Sequence, residues 1–271
     1  MAGEDLFAGT AWYYARYRPG YPPEMIDWLV EQMALDGTGR LLDLGCGTGQ
    51  LILPLAPHVT AAIGMDPDID MLAEAAAAAM RMGIENVEWV AGRSDDLTAM
   101  AERLAPLRLV VMGRSFHWMD GDQTLRDLDA LVEPGGAVLL TGDGCGIWSG
   151  DLDWQVGVRE TIRDWLGAER RAGKGTYQIE HDPWEVMLAR SPFASFDERH
   201  FPVRHEWTIE TIVGFLSSTS FASPHLLGDR RAPFEVDLRR RLLALDPSGM
   251  FAEDVVVDAF LAHRHGELRH R

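Results

Sequence analysis

Cysteine is nearly missing from this chain: only Cys46 and Cys145 occur in 271 residues, too few for a disulfide framework. Positive charge is also scarce. Lysine and arginine together number 25 against 42 aspartates and glutamates, a net charge of −17, and Lys174 is the only lysine. A nucleic-acid partner needs a basic footprint against the phosphate backbone, so this balance argues against one. The acidic excess is spread along the chain and reads as solubility. There is no apolar run of membrane-spanning length, and Met1-Ala2-Gly3-Glu4-Asp5 lacks the basic start of a signal peptide, so a cytoplasmic protein without a membrane partner is expected. Repeats and low-complexity linkers are absent as well. The length suits one α/β domain with an insertion, or at most two small domains.

What the chain does have is Arg40-Leu41-Leu42-Asp43-Leu44-Gly45-Cys46-Gly47-Thr48-Gly49-Gln50. This reads as a buried strand, a glycine turn and the start of a helix. Glycines there allow positive φ and let a ligand approach the backbone without a Cβ in the way. A dinucleotide fold places its last glycine three residues after the second, and Gln50 stands at that position. Asp43 at the strand end would repel a pyrophosphate and suit a cationic amino-acid ligand. A second apolar run, Val59 to Met65, ends in Asp66, 17 residues after Gly49, where a βαβ nucleotide fold puts a ribose carboxylate. Asp66 alone fits any adenosine-containing cofactor, NAD included.

Asp43, Gly45, Gly47 and Gly49 match D-x-G-x-G-x-G, and the stretch resembles motif I of the class I methyltransferases that use S-adenosylmethionine (SAM). The resemblance extends to the UbiE-like, type 11 and trans-aconitate-type small-molecule enzymes. It implies that Asp43, Gly45, Cys46 and Gly47 back the methionine part of SAM, with the acid helping to hold its ammonium group. Tyr14 and Arg18, in a segment similar to Y-x-x-x-R-P-x-Y-P, would belong to a lid, the tyrosine near the reacting methyl and the arginine near the cofactor carboxylate. Pro67 and Met71 would lie near the adenine, although Met71 reads equally well as a core methionine. Ser94 and Asp95 fall where the family reads the adenine edge. Arg93 replaces the usual aspartate there, which leaves Asp95 and Asp96 as alternatives, and the pair also suits a helix cap.

A fourth strand, Leu107–Met112, runs into Gly113-Arg114-Ser115-Phe116-His117-Trp118. This stretch resembles the family's motif IV, placing Arg114 among the cofactor contacts and His117 where acceptor and methyl meet, as a candidate general base. It also resembles a hydrolase nucleophile elbow, except that His117 stands where a small residue is needed. Leu131-Val132-Glu133-Pro134-Gly135-Gly136 reads as the turn into a fifth strand. From Gly142 to Ser191 the chain changes character, with Trp148, Trp154, Trp165 and Trp184 either lining an acceptor pocket or forming the insertion's own core. Glu180-His181-Asp182 is a weak polar-site candidate.

These readings predict a Rossmann-like seven-stranded sheet with helices on both faces, its last strand (Asp254–His263) antiparallel and at the sheet edge. They also predict a lid at about 8–34, a core at about 38–142 and 193–263, and a cap at about 143–192. The predicted function is methyl transfer from SAM, with S-adenosylhomocysteine (SAH) as product, to an oxygen or nitrogen of a small-molecule acceptor. No metal is expected, and the protein would be a monomer or homodimer. A SAM-binding protein without methyl transfer, an NAD-dependent reductase and a serine hydrolase are the alternatives.

Overall fold

The computed structural model describes residues 7, 9–143, 146–169, 171–172, 175–176 and 182–264. Glu180, His181, Cys145, Lys174, the side chain of Trp148 and the histidines beyond Arg264 lie outside them.

The apolar runs form the strands. β1 (Arg40–Leu44) buries Leu41, Leu42, Asp43 and Leu44 in succession, the pattern of a strand covered on both faces. It lies between β2 (Ala61–Asp66) and β4 (Leu107–Gly113), parallel to both. β3 (Val87–Ala91) pairs in parallel with β2, and β5 (Val132–Asp143) with β4. With β6 (Ser195–Thr208) and β7 (Met250–His263) the sheet has the order β3-β2-β1-β4-β5-β7-β6. The order of strand addition reverses between β1 and β4, so ligands are expected outside the carboxyl ends of those parallel strands.

Two corrections concern the far side of the sheet. Thr141 Oγ1 donates to the Asp258 carbonyl at 2.8 Å and Arg264 N–H to the Gly136 carbonyl at 2.9 Å, an antiparallel sense for β7. β7 is therefore antiparallel as expected, but it is an inner strand and not the edge. The side chains explain why. Val257, Ala259, Phe260, Leu261 and Ala262 are buried, whereas β6 is mostly exposed and carries Asp197, Glu198, Arg199, His200 and Arg204, the charges that protect an edge from further pairing. Second, Pro134-Gly135-Gly136 lies inside β5. Pairing passes from Leu107↔Val132 to Leu109↔Ala137, so the three residues form an excursion in the strand. Gly135 takes φ +84°, and a Cβ on Gly136 would stand 2.9 Å from the Arg108 carbonyl.

The residues divide into two compact units. One comprises Gly20–Gly142, Ile179–Phe201 and Val257–Arg271 and contains β1 to β5. Its helices include Pro23–Gln32, Ile69–Met82 and Gly121–Asp129. The helix Ile69–Met82 is capped by Asp68, whose Oδ1 accepts from Asp70 and Met71 N–H, and stops at Gly83 in the left-handed conformation. Arg190 forks onto both oxygens of Asp122 at 2.8 Å each and reaches Asp182 at 2.6 Å, tying the helix Trp184–Ala189 to Gly121–Asp129.

The other unit comprises Met1–Pro19, Asp143–Gln178 and Pro202–Val256. Its core joins Trp154, Val158 and Ile162 of the helix Asp153–Leu166 to Ile212, Val213 and Leu216 of Ile209–Ser217, and to Phe234, Leu238 and Leu242 of Arg231–Leu245. Trp154 is buried there and Trp165 packs against the same cluster, donating to Asp237 at 3.1 Å. Trp184 packs edge-on against Phe260 within the first unit. These three tryptophans are packing residues. Buried Glu253 accepts from Gln155 Nε2 at 2.6 Å and Trp207 Nε1 at 3.0 Å, so its charge is held by two neutral donors.

Candidate active site

Gly45, Gly47 and Gly49 have φ of +77°, +51° and +89°, a conformation costing other L-residues about 1–2 kcal/mol. Gly45 is also needed for space: its Cβ would meet Ser115 Cβ at 2.5 Å. The turn is pinned from β2, since Gly45 and Cys46 N–H both donate to the Met65 carbonyl (2.8 and 3.0 Å). Asp66 continues the same bracing. Its Oδ2 accepts from Gly47 N–H and its Oδ1 from Asp68 N–H, each at 2.9 Å, so one carboxylate shapes both the glycine turn and the entry to the next helix. Burial pushes the Asp66 carboxyl upward, and the two N–H donors oppose that shift.

Asp43 is 1% exposed, accepts the Ile52 backbone N–H, and has an Oδ2 with no hydrogen-bond partner among the described residues. Burial first, and the Asp66 charge second, raise its carboxyl to about 8. Cys46, also buried, has its thiol pushed up by the same burial and by both aspartates, and so is an inert packing group.

Around the adenine candidates, Pro67 and Asp95 are exposed, Ser94 is half-buried and Met71 is buried. Arg93 N–H donates to Asp96 at 2.8 Å, which commits Asp96 to a cap and leaves the exposed Asp95 as the carboxylate facing solvent. Ile69, the first residue of the helix after β2, is 69% exposed, a large apolar side chain that sequence reasoning passed over.

The turn after β4 meets the glycine turn directly. Ser115 Oγ donates to the Leu44 carbonyl at 2.7 Å, in a buried bond between the ends of β4 and β1. That bond removes Ser115 as a presented nucleophile, and the hydrolase alternative with it. Arg114 has φ +54°, held by its N–H to the Thr141 carbonyl at 2.8 Å, and its guanidinium lies 4.5 Å from the Tyr21 ring. His117 sits half-buried on the short turn Phe116–Trp118, its ring 4.7 Å from that of Trp118. Sequence reasoning missed Ser115 as a strut; the available signal was a small hydroxyl residue directly after a strand end.

In the other unit, the Arg18 guanidinium lies 4.9 Å from the Tyr14 ring and 4.8 Å from the Phe215 ring, and its Nε is buried without a hydrogen-bond partner among the described residues. Gly214 makes room for Tyr17, whose ring would lie 2.3 Å from a Cβ there. Among the described residues, no cluster of three His, Cys, Asp or Glu side chains could hold a metal ion, and no helix is long and apolar enough to cross a membrane.

The arrangement fits SAM better than a dinucleotide. An orphaned carboxyl oxygen at the first strand end suits an ammonium, Gln50 stands where a dinucleotide turn has its last glycine, and Asp66 keeps lone pairs for ribose hydroxyls. Residues 41–136 match the family described as a methyltransferase domain. An uncharacterized methyltransferase of Mycobacterium tuberculosis is 28% identical over 244 residues, covering 89% of this chain and 87% of the relative. An uncharacterized methyltransferase-like protein of Schizosaccharomyces pombe is 26% identical over 211 residues, 77% and 75% of the two chains. The YcgJ protein of Bacillus subtilis shares the fold, with a TM-score of 0.56 at 15% identity over 90% of this chain and 99% of that one. The domain match, the relatives, the motif and the strand order agree on a SAM-dependent methyltransferase with the class I fold. Its cofactor is SAM, which supplies an activated methyl group on a sulfonium.

Proposed function

We propose that the enzyme methylates an oxygen or nitrogen of a small organic acceptor, a secondary metabolite, and that it belongs with the UbiE-like and trans-aconitate-type enzymes. The observation that carries this reading is the Ser115 strut, which fixes the turn bearing His117 to the glycine turn at 2.7 Å. A methyl transfer from a sulfonium needs the nucleophile aligned with the breaking bond more than it needs covalent help. The strut supplies a fixed place for that alignment, and His117 takes the proton of an amine or hydroxyl that arrives protonated. The acidic surface supports a small acceptor over a nucleic acid.

Cofactor contacts are assigned to Asp43, Gly45, Cys46, Gly47, Asp66, Pro67, Met71, Ser94, Asp95 and Arg114. Tyr14 and Arg18 join them on the motif alone. The enzyme acts in the cytoplasm. Incubation with SAM and a library of hydroxylated and amine-bearing small molecules, read by mass for a one-methyl gain, tests the reading. His117→Asn should lower kcat by about a hundredfold or more and leave SAH affinity within about twofold. Methylation at wild-type rate in His117→Asn would remove the base from the mechanism.

A further inference from the structure

Two carboxylates are buried side by side at the ends of β1 and β2, and among the described residues neither makes an ion pair. Hydrogen bonding separates them. Asp66 accepts one backbone N–H on each oxygen, which favours its charged form. Asp43 accepts the Ile52 N–H, and its Oδ2 has no hydrogen-bond partner among the described residues. The elements packed around Asp43 bring no compensating charge. Among the described residues, β2 presents Gly64 opposite it and β4 presents Val111, the turn that follows brings the buried Cys46 thiol, and the helix Ile52–Leu55 brings the Ile52 N–H. The nearest charge is the negative one on Asp66. Of two adjacent buried acids, the poorly solvated one keeps its proton.

We propose that the cofactor site exchanges a proton for a cation: Asp43 is a neutral acid in the free enzyme and releases its proton to solvent as it pairs with the α-ammonium of SAM or SAH. This rests on the assignment of Asp43 to that ammonium. The Asp43 O–H bond breaks, the proton leaves to bulk water, the carboxylate and ammonium remain as an ion pair, and no bond to the ligand forms. Burial, with the Asp66 charge behind it, holds the Asp43 carboxyl at about 8, so the free enzyme at pH 7 is mostly in the neutral form. Only the ionised fraction binds the ammonium well, so apparent affinity should rise by about tenfold per pH unit well below 8 and level off above it.

The test is calorimetric titration with SAH in phosphate and in Tris, buffers of different ionisation enthalpy, at pH 6.5, 7 and 8. Close to one proton should be released per SAH at pH 7, and fewer at pH 8. Asp43→Asn, isosteric with the neutral acid, should fold as the wild type does. It should bind SAH at least about tenfold more weakly and release no proton. 5′-Methylthioadenosine, which lacks the ammonium, should bind without proton release. Absence of proton release on SAH binding to the wild type overturns the proposal, as does an equal release in Asp43→Asn or with 5′-methylthioadenosine. Failure of SAH to bind at all would be a different result, overturning the cofactor assignment beneath it.

Discussion

Two turns leave the carboxyl ends of neighbouring strands and touch each other, and they are built in opposite ways. The turn after β1 takes positive φ at Gly45, Gly47 and Gly49, where glycine is needed for conformation and, at Gly45, for space. The turn after β4 takes positive φ at Arg114, a residue that gains nothing from it locally. The first takes its positive φ on glycines, at little cost; the second spends backbone strain on Arg114, three residues before His117. Strain of this kind persists only when the surroundings over-determine it, and the Thr141 carbonyl, the Tyr21 ring and the Ser115 strut provide that constraint.

The contrast predicts an order of mutational effects. Gly45→Ala should be the most damaging, because a Cβ 2.5 Å from Ser115 adds overpacking to a left-handed backbone. A loss of about 2–5 kcal/mol in chemical denaturation is expected, with SAH binding abolished. Asp66→Ala removes the acceptor of Gly47 N–H and of Asp68 N–H and, under the proposed cofactor site, the ribose contact as well. SAH affinity should fall by about 2–3 kcal/mol, roughly thirty- to a hundred-and-fifty-fold, measured by calorimetry. Ser115→Ala leaves the Leu44 carbonyl without its buried donor and should cost about 1–2 kcal/mol of stability. Its kcat should fall more than its SAH affinity, since the strut positions the His117 turn. The smallest effect is expected between Arg114→Gly and Arg114→Ala. Glycine relieves the φ of +54° and should be about 1 kcal/mol more stable than alanine by thermal melting. Equal stabilities would mean that the second turn stores no strain, and the comparison would collapse.

The difference between the turns also explains what could be read from the chain alone. Gly45, Gly47 and Gly49 were legible because each takes a positive φ that favours glycine. Asp66 was legible as a strand-end acid, but its bond to Gly47 N–H, across 19 residues, was not. Arg114 gives no sequence signal of positive φ, and the Ser115 bond to Leu44 spans 71 residues of chain. For the sheet, apolar runs marked β1, β2 and β4, yet strand order on the far side depends on which of β6 and β7 can cover its side chains. That turned on the charges of β6 and the apolar end of β7, weighed against each other and not singly. Asp95 and Asp96 likewise separate only once the cap on Arg93 N–H is seen.

The most direct test of the account is calorimetric titration of the unmodified protein with SAH and, separately, with NADH. Micromolar binding of SAH and none of NADH is the predicted result, because Gln50 stands where a dinucleotide turn needs its last glycine. Binding of NADH in preference to SAH would contradict it, and the glycine turn would then have to be reread as a dinucleotide site.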